Sequence, residues 1–204
     1  MNARSWLLPI AACVLAGCAV QSTPGSLALP VREAGASVAK GSGSWMLPEA
    51  KSEDLLYVAD WNDEHVDVYA YPSARHVGEL KADEPSGLCV DAASDVWVNE
   101  PLKVIEYQHG GVKPIAKLAT PGFSYACAVD PASGNLAVTD VQVKGPDGIA
   151  VFAHASGQPT VYIDPAMPSP ASMGYDDQGN LFVDGNTSRK GSFRFAELPQ
   201  GAAS

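Results

Sequence analysis

A repeat restricts the fold of this chain more than any other feature. From about Ser44 onward, Asp54-Leu55-Leu56-Tyr57-Val58, Asp95-Val96-Trp97-Val98, Asn135-Leu136-Ala137-Val138 and Asn180-Leu181-Phe182-Val183 restate one another, their final valines 40, 40 and 45 residues apart. A period of this size marks solenoids, propellers or arrays, in which each unit buries its apolar face against its neighbours. Three of the segments follow a second shared unit: Gly87-Leu88-Cys89-Val90-Asp91, Ala126-Cys127-Ala128-Val129-Asp130 and Met173-Gly174-Tyr175-Asp176. Each Asp opens a short polar link, where Asp, Ser, Asn and Gly supply side-chain caps and positive φ, so each pair of units predicts a β-hairpin. Third strands are predicted at 66–71, 104–109, 149–154 and 192–197, and weaker fourth strands at 76–81, 114–118 and 160–163. After the first few tens of residues no stretch sustains a 3.6-residue period.

Four short antiparallel strands per unit of about 40 residues make the blade of an all-β β-propeller. The 19 Gly and 16 Pro suit a chain that turns this often. The pattern Pro85-Ser86-Gly87-Leu88-Cys89-Val90-Asp91 followed by Asp95-Val96-Trp97-Val98-Asn99-Glu100 resembles the NHL repeat, and Asp130 to Asp140 resembles its second half; Asp176 to Gly185 departs at the terminal acid. The resemblance spans residues 54 to 197 and extends to repeat-bearing bacterial lipoproteins of unassigned role. It implies propeller architecture without fixing an activity, since such propellers include binding modules, lyases and, in the gluconolactonase-like group, metal-dependent hydrolases. Residues 44–204 hold about four blades, whereas NHL-type propellers usually close with six. The chain therefore reads as a form truncated from six blades, with a genuine closed four-bladed propeller as the alternative.

The N-terminal end reads differently. Trp6 to Gly17 is an apolar run preceded by Arg4, too short to cross a bilayer as a helix but matched to the apolar region of a secretory signal. It ends in Leu15-Ala16-Gly17-Cys18, which resembles the bacterial lipobox. The resemblance implies a signal peptide at 1–17, lipidation of Cys18, and membrane attachment through that lipid. Ala19, standing where an Asp would direct retention, implies the outer membrane or an extracytoplasmic surface of the cell envelope. Residues 18–43 are rich in Ala, Gly, Ser and Pro without periodicity and read as a flexible tether to a propeller domain at 44–204.

A formal charge of −10, with 13 Lys+Arg against 23 Asp+Glu and no basic cluster, argues against nucleic acid as a partner. Asp91, Asp130 and Asp176 read as structural turn caps. Asp60, Glu100 and Asp140 end the second strands, on the face where propellers bind ligands, and are the candidate ligand or metal residues. Converging there they would suit calcium, although no motif calls for a cofactor. Cys89 and Cys127 lie on the innermost strands of successive blades. Because Cys89 aligns with Ala128, the two thiols fall on opposite sides of equivalent strands; the reading favours two small buried core residues, with a disulfide as the alternative. His109 and His154 share one repeat position. His65 reads as part of a surface loop, and Trp45, Trp61 and Trp97 as packing between blades. No nucleophile, base and orienter set can be assembled, and neither a nucleophile elbow nor H-E-x-x-H occurs, so no catalytic residue is assigned. The expectation is a lipid-anchored extracytoplasmic propeller that serves as a binding or scaffold module for a protein or small ligand on the loop face. The alternative is a metal-dependent hydrolase or lyase of the gluconolactonase-like or NHL lyase type, working at the channel mouth.

Overall fold

The computed structural model describes residues 43–188 and 191–200. The signal segment 1–17, Cys18 and all but the last residue of the 18–43 tether lie outside the described residues. Within them the chain folds into four antiparallel sheets in sequence order, each a propeller blade. Blade 1 contains β1 (Trp45–Met46), β2 (Asp54–Asp60), β3 (His65–Tyr71) and β4 (Arg75–Lys81). Blade 2 contains β5 (Leu88–Val90), β6 (Val96–Glu100), β7 (Lys103–Tyr107) and β8 (Pro114–Ala119). Blade 3 contains β9 (Cys127–Val129), β10 (Leu136–Asp140), β11 (Gly148–Phe152) and β12 (Thr160–Tyr162). Blade 4 has three strands, β13 (Ser169–Tyr175), β14 (Leu181–Asn186) and β15 (Phe193–Leu198).

The hairpin links form as their residue types require. Asp91 Oδ1 accepts the backbone N–H groups of Ala93 and Asp95, and Asp176 Oδ1 those of Gln178 and Asn180, each at 2.8–2.9 Å. Asp130 Oδ1 accepts the N–H of Ala132 and its second oxygen the Ser133 hydroxyl. These three aspartates bind the backbone groups that a tight link leaves without ladder partners. The histidines at the shared repeat position do similar work: His109 Nε2 lies 2.9 Å from the Glu53 carbonyl oxygen, and His154 Nδ1 2.7 Å from that of Ser133.

Packing between blades, rather than within them, makes the core. Val66, Val68, Val77 and Leu80 of blade 1 meet Val96, Val98 and Ile105 of blade 2. Trp97 and Val104 meet Leu136, Val138, Ala150 and Phe152 across the next gap, and Ala137, Ile149 and Val151 meet Leu181 and Val183 across the third. In β6, Val96 and Val98 face blade 1 while Trp97 faces blade 3, so the strand is buried on both sides. A strand covered on both faces must be apolar throughout, the reason Val96-Trp97-Val98 and Leu136-Ala137-Val138 are continuous apolar runs. Blades 2 and 3 approach closely where Gly87 meets the backbone before β9. A Cβ at Gly87 would lie 2.5 Å from the Tyr125 carbonyl oxygen and 2.8 Å from Ala126 Cα, a space that excludes any side chain.

The array is open, so the closed four-bladed alternative is not what forms. β2 occupies the repeat position of β6 and β10, but among the described residues no strand pairs with its inner edge; β1 adds instead to the outside of β4. The outward faces of the end blades expose apolar side chains: Leu56 and Val58 on blade 1, and Phe182, Phe193 and Phe195 on blade 4. Trp97 lies between blades, as its position in the repeat predicts. Trp45 and Trp61 do not: Trp45 packs edge-on against His76 on the outward face of blade 1, and Trp61 is exposed in the turn after β2. Neither belongs to a doubly covered strand, so neither has a second blade to pack against.

Candidate functional site

Asp60, Glu100 and Asp140 each close a second strand, at the end of the array where the β2–β3, β6–β7 and β10–β11 connections turn. Each is held by its own turn. The N–H groups of Asn62 and Asp63 both donate to Asp60 Oδ1 at 3.0 Å. Glu100 is buried and lies 2.7 Å from Lys103 Nζ, its cross-strand partner in the hairpin. That bond to Glu100 raises the Lys103 pKa, and Asp83, at 3.3 Å, adds to it. Asp140 is also buried; burial pushes its carboxyl up, while a hydrogen bond from the Gln142 amide opposes the shift. Two other sets of side chains come together as possible ligands among the described residues: His65, Asp67 and Glu79, and Asp91, Asp95 and Glu106. Each strand-end carboxylate is thus bonded to a neighbour in its own turn.

Cys89 and Cys127 are joined in a disulfide, with Cα atoms 5.7 Å apart. Their placement on opposite sides of equivalent strands is what allows the bond. Cys89 on β5 points out of blade 2 toward blade 3, and Cys127 on β9 points back, so opposite sides of successive blades are facing sides. The bridge sits in the apolar cluster of Trp97, Leu136 and Phe152 and ties the two blades at their inner strands. His65 is likewise not in a surface loop. It is the first residue of β3 and is only 8% exposed.

The turn that Asp60 caps presents Trp61. Across the loop face, the N–H groups of Tyr125 and Ala126 donate to the Thr139 hydroxyl oxygen at 2.7 and 3.1 Å, which fixes the approach to β9 and presents Tyr125. The two rings stack with centroids 6.4 Å apart and planes 27° apart, Trp61 43% and Tyr125 45% exposed. One ring comes from blade 1 and the other from the entry to blade 3, so the pair spans blade 2 at the loop face. Asp63, Glu64 and Glu84 are exposed in the neighbouring connections. Between blades 2 and 3 on the same side, both amide atoms of Asn99 and the hydroxyl of Ser124 are buried without a partner among the described residues. The sequence signal for the aromatic pair was available: each ring adjoins a strand end on the loop face and falls outside the repeat's apolar runs.

No protein-family model matches this chain, and no curated protein sequence does. Solved structures do resemble it. Hydrazine synthase of Kuenenia stuttgartiensis superposes with a TM-score of 0.59 at 16% identity, covering 78% of this chain and 53% of the other. The β-propeller domain of Cps50 (Swd1) from Myceliophteria thermophila superposes with a TM-score of 0.56 at 12% identity, covering 79% and 52%. A functionally unknown protein from Desulfotomaculum acetoxidans gives a TM-score of 0.56 at 9% identity, covering 72% and 50%. At these identities the likeness establishes the fold alone, and the chain spans about half the length of the structures it resembles. Interblade packing, hairpin order and these likenesses together make the described domain a β-propeller array.

Proposed function

We propose that this chain is a lipid-anchored, extracytoplasmic propeller with NHL-like repeats that binds a basic segment of a partner protein on its loop face. The observation that carries the reading is the exposed Trp61–Tyr125 stack, whose rings present π surface on the loop face, where the connections also carry the exposed residues Asp63, Glu64 and Glu84. Aromatic faces attract Arg and Lys side chains over short distances, and carboxylates steer them from farther away. The chain's overall charge of −10 favours the same partner chemistry. Cys18 would take the lipid and residues 18–43 would give the domain reach from the membrane. Asp60, Glu100 and Asp140, each engaged in its own turn, lend no support to a hydrolase or lyase at this face.

The test is a fluorescence titration of the full chain with an Arg- and Lys-rich octapeptide. The reading predicts saturable quenching that weakens with added salt and falls at least tenfold in affinity in Trp61→Ala and in Tyr125→Ala. Absence of saturation up to about 1 mM peptide, an affinity at which a binding site contributes only about 4 kcal/mol, or titrations unchanged in both variants, would overturn it. Anchoring is tested separately: incorporation of labelled palmitate in a bacterial host should vanish in Cys18→Ser, and persistence of label there rejects Cys18 as the attachment point.

A further inference from the structure

We propose that blade 1 carries a zinc-type divalent metal site formed by His65, Asp67 and Glu79, on the outward face of strands β3 and β4. The inference is independent of the loop-face reading. His65 and Asp67 are two apart on β3, hence on one face, and Glu79 is directly opposite Asp67 on β4. One ligand atom from each of the three falls within 4.8 Å of the other two. His65 Nε2 lies 3.4 Å from Asp67 Oδ2. Two ligands bound to zinc at about 2.0–2.1 Å in a tetrahedron stand roughly 3.4 Å apart, so this pair already has the required spacing.

The surroundings prepare the ligands. His65 Nδ1 lies 3.0 Å from the Asp63 carbonyl oxygen, which only accepts; the Nδ1 proton is therefore committed there, and Nε2 faces the carboxylates. Metal-bound histidines are oriented in this way by a carbonyl or carboxylate on the other ring nitrogen. His76 Nε2 lies 2.9 Å from Asp67 Oδ1 without hydrogen-bond geometry, and Asp67 Oδ2 is the oxygen that faces His65. His76 is in turn held between Trp45 and Tyr69, with ring centroids at 5.2 and 5.1 Å.

Two carboxylates directly opposite each other on neighbouring strands repel, and the pairing of Asp67 with Glu79 is such a case. A bulge creates it. The register passes from Tyr69↔His76 to Val68↔Gly78, so Val77 is an extra residue, and without it Asp67 would face Gly78. The same one-residue shift recurs in blade 2, between Glu106↔Ala116 and Tyr107↔Pro114, so the bulge belongs to the repeat, and in blade 1 it sets Glu79 against Asp67. One imidazole and two carboxylates suit a first-row divalent ion of borderline softness better than calcium, which takes oxygen ligands alone. Three protein ligands leave a fourth position, and Asp67, 24% exposed in its side chain, marks the side from which water or a ligand reaches it.

The experiment is calorimetric titration of the chelator-treated full chain with zinc chloride, followed by cobalt substitution and its visible spectrum. The proposal predicts one equivalent bound, a tetrahedral cobalt spectrum, and at least a tenfold loss of affinity in His65→Ala and in Glu79→Gln. Glu79→Gln preserves shape and removes charge, so it reads the site even if His65→Ala fails to fold. No saturable uptake overturns the proposal. So does uptake that survives Glu79→Gln but is lost in Glu106→Gln, because the metal then occupies the Asp91, Asp95 and Glu106 group.

Discussion

Removing the Cys89–Cys127 bridge with the double substitution Cys89→Ala and Cys127→Ala should destabilise the domain by about 4 kcal/mol. The bridge closes a loop of 38 residues in the unfolded chain. In the chain-entropy relation, ΔS ≈ −2.1 − 1.5R ln n, that length gives about −13 cal/mol/K, or about 4 kcal/mol at 25 °C. For a domain of this size each kcal/mol moves Tm by roughly 2–4 °C, so the expected drop is roughly 8–16 °C. The loss should be almost purely the cross-link, since alanine also fits the apolar cluster around Trp97 and Phe152. The assay is urea unfolding followed by far-UV circular dichroism, for wild type and variant, each with and without reductant. Wild type under reductant should fall to the level of the variant, and the variant should not respond. A double variant within about 1 kcal/mol of wild type would refute the reasoning, because the two inner strands would then not be tied across the blade gap.

Other outcomes follow from single side chains. Asn99→Leu should stabilise the domain by about 1 kcal/mol, because it replaces a buried amide that has no partner among the described residues with apolar volume of similar size; destabilisation in urea unfolding would show the amide to be paired. Burial first, then Asp91 and Asp95, push the Glu106 carboxyl up to about 7, so the folded state holds its proton more tightly than the unfolded chain. Its contribution to stability is therefore complete below the ordinary carboxylate range and lost as pH rises through about 7. Subtracting the urea midpoints of Glu106→Gln from those of wild type across this range should give a descending curve; a flat one rejects the shift. Phe193→Ser with Phe195→Ser should change stability by no more than about 0.5 kcal/mol while lowering binding of the dye ANS, since these rings are 73% and 77% exposed. A loss of several kcal/mol would show that something covers them.

Much of the architecture is legible in the sequence because propeller strands carry their burial in local order. Val96-Trp97-Val98 and Leu136-Ala137-Val138 are apolar at every position since a blade lies on each side, and Asp91, Asp130 and Asp176 announce their links through side chains that bond within four residues. What escapes a one-dimensional reading is which faces meet. The offset of Cys89 from Cys127 argues against a disulfide only if equivalent strands are imagined superposed; in an array the opposite sides of successive blades face each other. β1 is only Trp45–Met46, outside the repeat, and forms because the outer edge of β4 is free to accept it. The His65, Asp67 and Glu79 group depends on a one-residue bulge at Val77, and bulges leave no composition signal. Asp60, Glu100 and Asp140 end their strands where the hairpins turn, and each is bonded within its own turn, which a strand-end acid in the sequence does not disclose.

The central claim is an open array of blades whose middle strands are covered on both faces and whose end strands are not. Hydrogen exchange of the backbone amides, resolved by strand, measures this directly. Exchange should be slowest in β6 and β10, which have ladder partners on both edges, and much faster in β2 and β15, each at an edge of its sheet with a bare face beside it. Protection of β2 and β15 equal to that of β6 and β10 would contradict the account, since the ends of the array would then be covered.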